Sequence, residues 1–399
     1  MSARRHEVVI VGGGAAGISV AARLRRAGVA DVAVVEPSDV HYYQPLWTLV
    51  GAGQVPMGTT ARSEAAVMPK GVTWIRHRAT AVDPEAHTVT LADDSVLRYQ
   101  QLVLAPGIQL NFDAIPGLAE SVGRDGVASN YRPDLAPRTW DFISGAEPGT
   151  AVFVTPPGPI KCAGAPQKIA YLAADHWRRH GLLDRMRLIM VLPTAAMFSQ
   201  PDWGEVLKKI AAGYGIEVRH NTELAEVDGP NRRAVLLDTA TGTKEELEFQ
   251  VLHTAPPQSA PDWIRDSALA DPESPYGYLK VDKHTLRHPD WPDVFALGDA
   301  ANLPTSKTGA AIRKQAPVVT TNVLAARRGT LGEARYDGYT SCPVVTAHNR
   351  MLLAEFDYTL TPRPSFPFLD TMRPRYDMYL LKRYGLPQLY WRGMLRGRA

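Results

Sequence analysis

The stretch "EVVIVGGGAAGISVAARLRRAGVADVAVVE", residues 7–36, reads as a strand, a glycine turn, a helix and a second strand. Glu7 to Val11 is a buried-strand run. Ala15 to Ala27 repeats Ile18, Ala22 and Leu24 at helical spacing, and residues 32–36 return to a strand. Between the first strand and the helix lies Gly12-x-Gly14-x-x-Gly17. The first glycine permits the tight turn, the second lets a pyrophosphate approach the backbone, and the third lets the helix pack on the strand. The helix N-terminus favours phosphate charge, and Glu36 can accept from a ribose 2′-OH. A glycine turn alone also serves packing; strand, helix and acid together point to a dinucleotide. Glu36 argues against a 2′-phosphate, because two anions would repel.

Outward from this unit the alternation continues. Strand-like stretches lie near 72–76, 79–83, 87–91 and 96–98, and "QLVLAPG" (101–107) is a buried strand ending in a tight turn. Residues 151–155 and 187–192 bracket a helical segment at 166–180, a second βαβ unit. A helix near 204–213 precedes strand-like runs at 216–219, 222–228, 234–237 and 247–254. "DVFALGDA" (293–300) closes a strand onto an acidic turn before a helix-like run at 307–328. At 399 residues, 45% hydrophobic and 21% charged, the chain can bury more than one core. A net charge of +3 is too small to suggest nucleic acid. Two distant cysteines are no secreted disulfide framework. "MSARRHEVVIVGGG" enters a strand at once, so no signal or transit peptide is expected. No apolar run reaches the roughly 18 residues that span a bilayer, so a soluble or monotopic protein is expected.

The turn after the second unit's first strand departs from the first. "VFVTPPGPIKCAGAPQK" (152–168) has no Gly-x-Gly-x-x-Gly, and Pro156, Pro157 and Pro159 remove N–H donors a pyrophosphate would need. A nicotinamide site there looks dismantled, and the loop delivers Cys162 instead. Pro166 suits a first helical position, so Cys162 lies just before a helix N-terminus with Lys161 adjacent; both favour the thiolate. Cys342, in "YDGYTSCPVVT" (336–346), reads as a loop residue before a proline and by itself is equally a packed thiol or a redox partner. With no third cysteine in the chain, the economical reading pairs it with Cys162. Lys161 and Lys168 are candidates to stabilise a sulfur anion or a quinone oxygen, although lysines are more often solvated charge. His348, Glu355 and Asp357 have no metal-ligand spacing, and no metal site is expected.

"VFALGDA" resembles the second fingerprint of flavoproteins with two dinucleotide domains, whose aspartate, here Asp299, holds the ribityl–pyrophosphate part of FAD. "LVLAPG" (102–107) resembles their connecting motif, with Pro106 where threonine is commoner. The motifs "KCAGAPQKIAYL" (161–172), "GDAANLPTSKTGAA" (298–311), "YDGYTSCP" (336–343), "AEFDY" (354–358) and "HYYQPLWTLVGAG" (41–53) resemble the sulfide:quinone oxidoreductases, in the mitochondrial-like subgroup with two catalytic cysteines. The resemblance runs from about residue 6 to 396. It implies FAD contacts at Gly12, Gly14, Ala15, Ala16, Glu36, Gln44, Ala79 and Asp299 and along Gly309, Ala310, Ala311 and Ile312, with Lys307 close by. Gly17 completes the glycine fingerprint. It further implies that hydrosulfide attacks the Cys162–Cys342 bridge at Cys342, leaving a persulfide there, and that the freed Cys162 thiolate passes two electrons to FAD. Sulfite, glutathione, coenzyme A or a second sulfide then takes the sulfur, and a quinone reoxidises the flavin.

The implied fold is α/β: two Rossmann-like domains, as in glutathione-reductase-like flavoproteins, and a C-terminal membrane-facing segment. The expected division is 1–112 and 291–335 for the FAD domain, 113–290 for the second Rossmann-like domain, and 336–399 for the C-terminal region. "MYLLKRYGLPQLYWRGMLRGR" (378–398) interleaves aromatics and leucines with Lys382, Arg383, Arg392, Arg396 and Arg398, and Gly385 and Pro387 split it into two short pieces. That pattern suits a headgroup interface; the alternative is a helix docked on the protein's own core. A peripheral membrane protein is expected, on the bacterial plasma membrane in a prokaryote or the mitochondrial inner membrane in a eukaryote. A second copy of the chain is one further candidate partner. The rival activities are an NADH:quinone oxidoreductase, which needs the missing glycine turn, a flavin scaffold without catalysis, and a flavocytochrome-type sulfide dehydrogenase, which needs a haem subunit.

Overall fold

The computed structural model describes residues 4–399. Strand Arg4–Val11 is the spine of a seven-stranded sheet. It pairs in parallel with Val32–Val35 on one side and Val96–Leu104 on the other, Val9 lying opposite Ala33 and Leu102. Thr73–Ile75 extends one flank, and Val294–Ala296 joins Val96–Leu104 in parallel from far along the chain. The first residues of Val96–Leu104 pair with antiparallel Thr88–Leu91, which carries Ala79–Asp83. Val8, Ile10 and Val103 enter one core, whereas Val9, Val11 and Leu102 enter the other. Burial on both faces is why these strands read as unbroken apolar runs.

The second sheet is wholly parallel and has five strands, in the order Val127–Ala128, Val251–Thr254, Gly149–Val154, Met186–Val191 and Glu217–Arg219. Helix Ala165–Arg179 follows strand Gly149–Val154, with proline in its first turn as expected. The strand-like run expected at 247–254 is two strands. Lys244–Glu248 ends an antiparallel meander with Thr222–Asp228 and Arg233–Asp238, and Val251–Thr254 enters the parallel sheet. The apolar residues are continuous, but Phe249 and Gln250 change sheets between them.

Two C-terminal expectations need correction. Cys342 is in a strand, Thr340–Ala347, paired with Arg350–Phe356 in a two-stranded ribbon. Pro343 is tolerated there because a ribbon leaves each strand one unpaired edge. The segment 378–398 is not split at Gly385 and Pro387. Helical turns run without a break from Tyr376 to Arg396, widened to π turns at Leu381–Gly385 and Leu389–Gly393. Gly385 keeps right-handed helical angles, and Pro387 follows directly on the π turn Leu381–Gly385. Tyr379, Tyr390, Trp391, Met394 and Leu395 are buried in the core beside helix Ala15–Arg26. The exposed apolar residues are Leu380, Tyr384 and Leu389, with Tyr376 and Phe368 nearby in sequence. Among the described residues, no helix is long and apolar enough to cross a membrane.

Candidate active site

The residues after three strands of the first sheet, Gly12, Ala105 and Leu297, open onto a cavity of about 670 Å³. Ligands of open α/β sheets bind at such carboxyl ends, in pockets of roughly this size. Gly12 has a φ of +102°, and a Cβ there would lie 2.2 Å from the Ala105 carbonyl oxygen. At Gly17 a Cβ would lie 1.8 Å from the Gly12 carbonyl oxygen, so the third glycine serves packing and does not line the cavity. Nothing stands within 4 Å of a Cβ on Gly14, whose backbone faces the cavity. The Gly13 N–H donates to Glu36 Oε2 at 2.8 Å and the Ser38 N–H to Oε1 at 2.7 Å, which aims the carboxylate at the turn.

Ala15, Ala16, Gln44, Asp299, Lys307, Gly309, Ala310 and Ile312 also line this cavity. Thr308 caps the helix Gly309–Arg327 by accepting from the Ala311 N–H at 3.0 Å, so the helix N-terminus faces the same space. Ala311 itself is buried behind it. Ala79 starts strand Ala79–Asp83, and its methyl is in the core with Val9 and Val11, so it does not line the cavity. An open glycine turn, an aimed carboxylate and a second helix N-terminus fit FAD.

The cysteine loop closes the other side. Cys162 has a φ of +53°; its N–H donates to the Lys307 carbonyl at 2.9 Å, and its carbonyl accepts from the Ala165 N–H at 2.7 Å. Lys161 donates from Nζ to Gln44 Oε1 at 2.5 Å. The Lys307 bond stitches the proline loop to the segment leading into Gly309, and the Gln44 bond ties it to the turn Gln44–Leu46. Cys342 approaches from behind: Ser341 and Pro343 line the cavity, while Cys342 and Val344 turn to the opposite face against helix Ala165–Arg179. Two free thiols far apart in sequence are thereby packed into one cluster. Gly164 keeps the approach open, since a Cβ there would lie 3.0 Å from Cys342 Sγ.

The pair is asymmetric. The hydrogen bond from Cys342, together with the Lys168 ammonium, holds Cys162 well below the ordinary thiol range despite its burial. The same contact and burial push Cys342 up. Lys168 is only 1% exposed, yet its Nζ donates to Cys162 Sγ at 2.9 Å. Burial disfavours its charge, but the two sulfurs more than offset that and raise its pKa. It is therefore no solvated surface charge.

Lys382, which reads in sequence as part of a basic lipid-facing pattern, is 3% exposed on the cavity wall. Its Nζ donates to the Pro45 carbonyl at 2.9 Å, and burial, with Lys168 nearby, pushes its pKa down to about 7. Burial likewise lowers Lys161 and Lys307 to about 8. Sequence reasoning also missed the polar wall at Glu355, which accepts from Tyr339 Oη at 2.5 Å and Ser365 Oγ at 2.6 Å. The signal was its place in an alternating strand, with Leu353 on the same face.

Residues 6–319 match the pyridine nucleotide-disulphide oxidoreductase family. The mitochondrial sulfide:quinone oxidoreductase of Dictyostelium discoideum is 41% identical, over 98% of this chain and 86% of the relative. The chain belongs to the sulfide:quinone oxidoreductase family. The mouse mitochondrial sulfide:quinone oxidoreductase is 40% identical, over 99% of this chain and 88% of its own. The crystal structure of the sulfide:quinone oxidoreductase from Aquifex aeolicus shares the fold, with a TM-score of 0.80 at 19% identity, covering 99% of this chain and 92% of that one. As a sulfide:quinone oxidoreductase family member, the chain is an FAD-dependent oxidoreductase.

Proposed function

We propose that this protein oxidises sulfide at the Cys162–Cys342 pair and delivers the electrons through FAD to a quinone. The observation that carries the reading is the packing of the two thiols into one cluster beside Lys168, with Cys162 on the wall of the cavity that the glycine turn opens. In the oxidised pair, hydrosulfide attacks Cys342 Sγ. A sulfur–sulfur bond forms there, the bridge breaks, and Cys162 leaves as a thiolate. The depressed Cys162 and raised Cys342 support this direction, because the thiol of lower pKa is the better leaving group. Lys168 holds the developing negative charge on Cys162. A nucleophile such as sulfite, glutathione, coenzyme A or sulfide removes the sulfane sulfur and returns Cys342 as a thiolate. Closing the bridge releases two electrons; bound FAD supplies the acceptor for them and is reoxidised by quinone.

Gly12, Gly14, Ala15, Ala16 and Glu36 hold the adenosine and pyrophosphate of FAD. Asp299, Lys307 and the helix start at Gly309, Ala310, Ala311 and Ile312 hold its ribityl and ring end, with Gln44 and Ala79 at the sides. The quinone enters where Phe366, Leu386 and Leu389 line the cavity, since Leu389 is also exposed at the surface. The exposed side chains Tyr376, Leu380, Tyr384 and Phe368 support a peripheral membrane seat around that opening. Anaerobic mixing with sulfide is the test: the flavin of the wild-type protein bleaches, while Cys162→Ser and Cys342→Ser keep FAD and do not respond. Near-normal bleaching by either variant refutes the relay.

A further inference from the structure

The chemistry above leaves a buried carboxylate on the cavity wall without a use. Glu64 is 1% exposed, and its Oε2 is 3.1 Å from His41 Nδ1. His41 Nε2 in turn meets the hydroxyl of Tyr390, in the C-terminal segment, at 2.5 Å. His41 and Tyr390 are 3% and 4% exposed, so the chain of three is shut off from solvent. Glu64 Oε1 is buried and has no hydrogen-bond partner among the described residues. It sits 2.9 Å from where a Cβ on Gly13 would be, beside the backbone whose N–H holds Glu36. Two carboxylates thus flank one turn of main chain.

A buried carboxylate oxygen without a donor is costly, and native structures rarely leave one empty. The partner it lacks must donate a hydrogen bond. An anion is excluded by Glu36 and Glu64 together, whereas a neutral hydroxyl suits both. We propose that Glu64 is a second ribose carboxylate and one end of a relay. Its Oε1 accepts from a hydroxyl of the FAD adenosine ribose, while its Oε2, through His41, holds Tyr390. FAD loading and seating of the C-terminal segment then form one coupled equilibrium. The Glu64 contact makes Nδ1 the protonated nitrogen of His41, which leaves Nε2 to accept from the Tyr390 hydroxyl. Coupling of this kind is reciprocal: the factor by which FAD favours the seated segment is the factor by which the seated segment favours FAD. The inference rests on the placement of the ribose at Glu36.

The test is the rate at which diluted holoenzyme releases fluorescent flavin. Glu64→Ala and Tyr390→Phe should each speed the release by about fivefold or more, at the roughly 1 kcal/mol of one hydrogen bond. The double variant should be no faster than Glu64→Ala alone, because the hydroxyl acts through the carboxylate. Glu64→Gln keeps an acceptor oxygen for the hydroxyl, and its amide N–H can donate to Nδ1 of the other His41 tautomer, whose Nε2–H then donates to Tyr390, so it should restore most of the retention. Multiplying effects, or unchanged release in Tyr390→Phe, overturn the relay. Glu36→Ala is the control. Fast release there with wild-type release in Glu64→Ala sinks Glu64 alone; wild-type release in both sinks the ribose placement. Should Glu64→Ala not fold, amide exchange in wild-type protein decides: removing FAD should raise exchange across residues 386–396 while the second sheet stays protected. Equal exchange with and without FAD overturns the proposal.

Discussion

Lys168 and Cys162 depend on each other. The lysine keeps its charge in a buried place because two sulfurs lie beside it, and the thiolate persists because Cys342 and that ammonium both reach it. Replacing Lys168 with Met removes the charge while keeping the bulk, so the Cys162 pKa should rise. In the reduced wild-type enzyme, alkylation of Cys162 by iodoacetamide should gain little as the pH rises towards 9, because its thiolate forms well below the ordinary thiol range. In the variant the rate should climb with pH and, at neutral pH, fall about tenfold for each unit of rise. Superimposable profiles would show that the lysine does not set the thiolate. The position of Cys162 was legible in its own loop, where prolines replace the phosphate cradle. The burial of Lys168 was not, because a lysine on one helix says nothing of the ribbon that later covers it.

At the scale of elements, the C-terminal helical run combines the two roles that its sequence left open. Its aromatic side docks on the core, and a smaller row of apolar residues stays outside. The two faces should respond differently to substitution. Leu380→Asp with Tyr384→Asp should release the protein from anionic liposomes and slow turnover with a long-tailed quinone, while sulfide still bleaches the flavin. Undiminished liposome binding refutes a seat on that face. Trp391→Ala should instead lower stability by about 3–5 kcal/mol, measured by denaturant titration, because it empties a packed site. The proline loop makes a separate prediction. Because residues 156–159 offer few N–H donors, NADH and NADPH should reduce the flavin far more slowly than sulfide in stopped-flow mixing. Rapid bleaching by NADH without any by sulfide would favour an NADH:quinone oxidoreductase.

For the molecule as a whole, the cavity is a meeting of cations. Lys161, Lys307 and Lys382 are all pushed down by burial, to about 8, 8 and 7. Unfolded, each keeps its proton to about pH 10.4. Above these lowered values the unfolded chain binds more protons, so this contribution to stability rises with pH from about 7 to about 10. Lys382→Met should flatten part of that rise, seen as a smaller gain in unfolding free energy between pH 7 and pH 9 than in wild type. An equal gain would mean that Lys382 is charged when folded.

By itself the sequence determined the first βαβ unit, the dinucleotide turn, the missing second turn and the family resemblance. Each rests on neighbours along the chain, where backbone geometry and apolar period act directly. The tertiary structure decided how distant groups meet. Strand parity turns Cys342 towards Cys162 and Glu355 towards the cavity. The docking of residues 376–396 buries Lys382 and joins Tyr390 to His41 and Glu64. The physical reason is the same in each case. Burial and pKa depend on every element packed around a side chain, and local periodicity reports only the one that carries it.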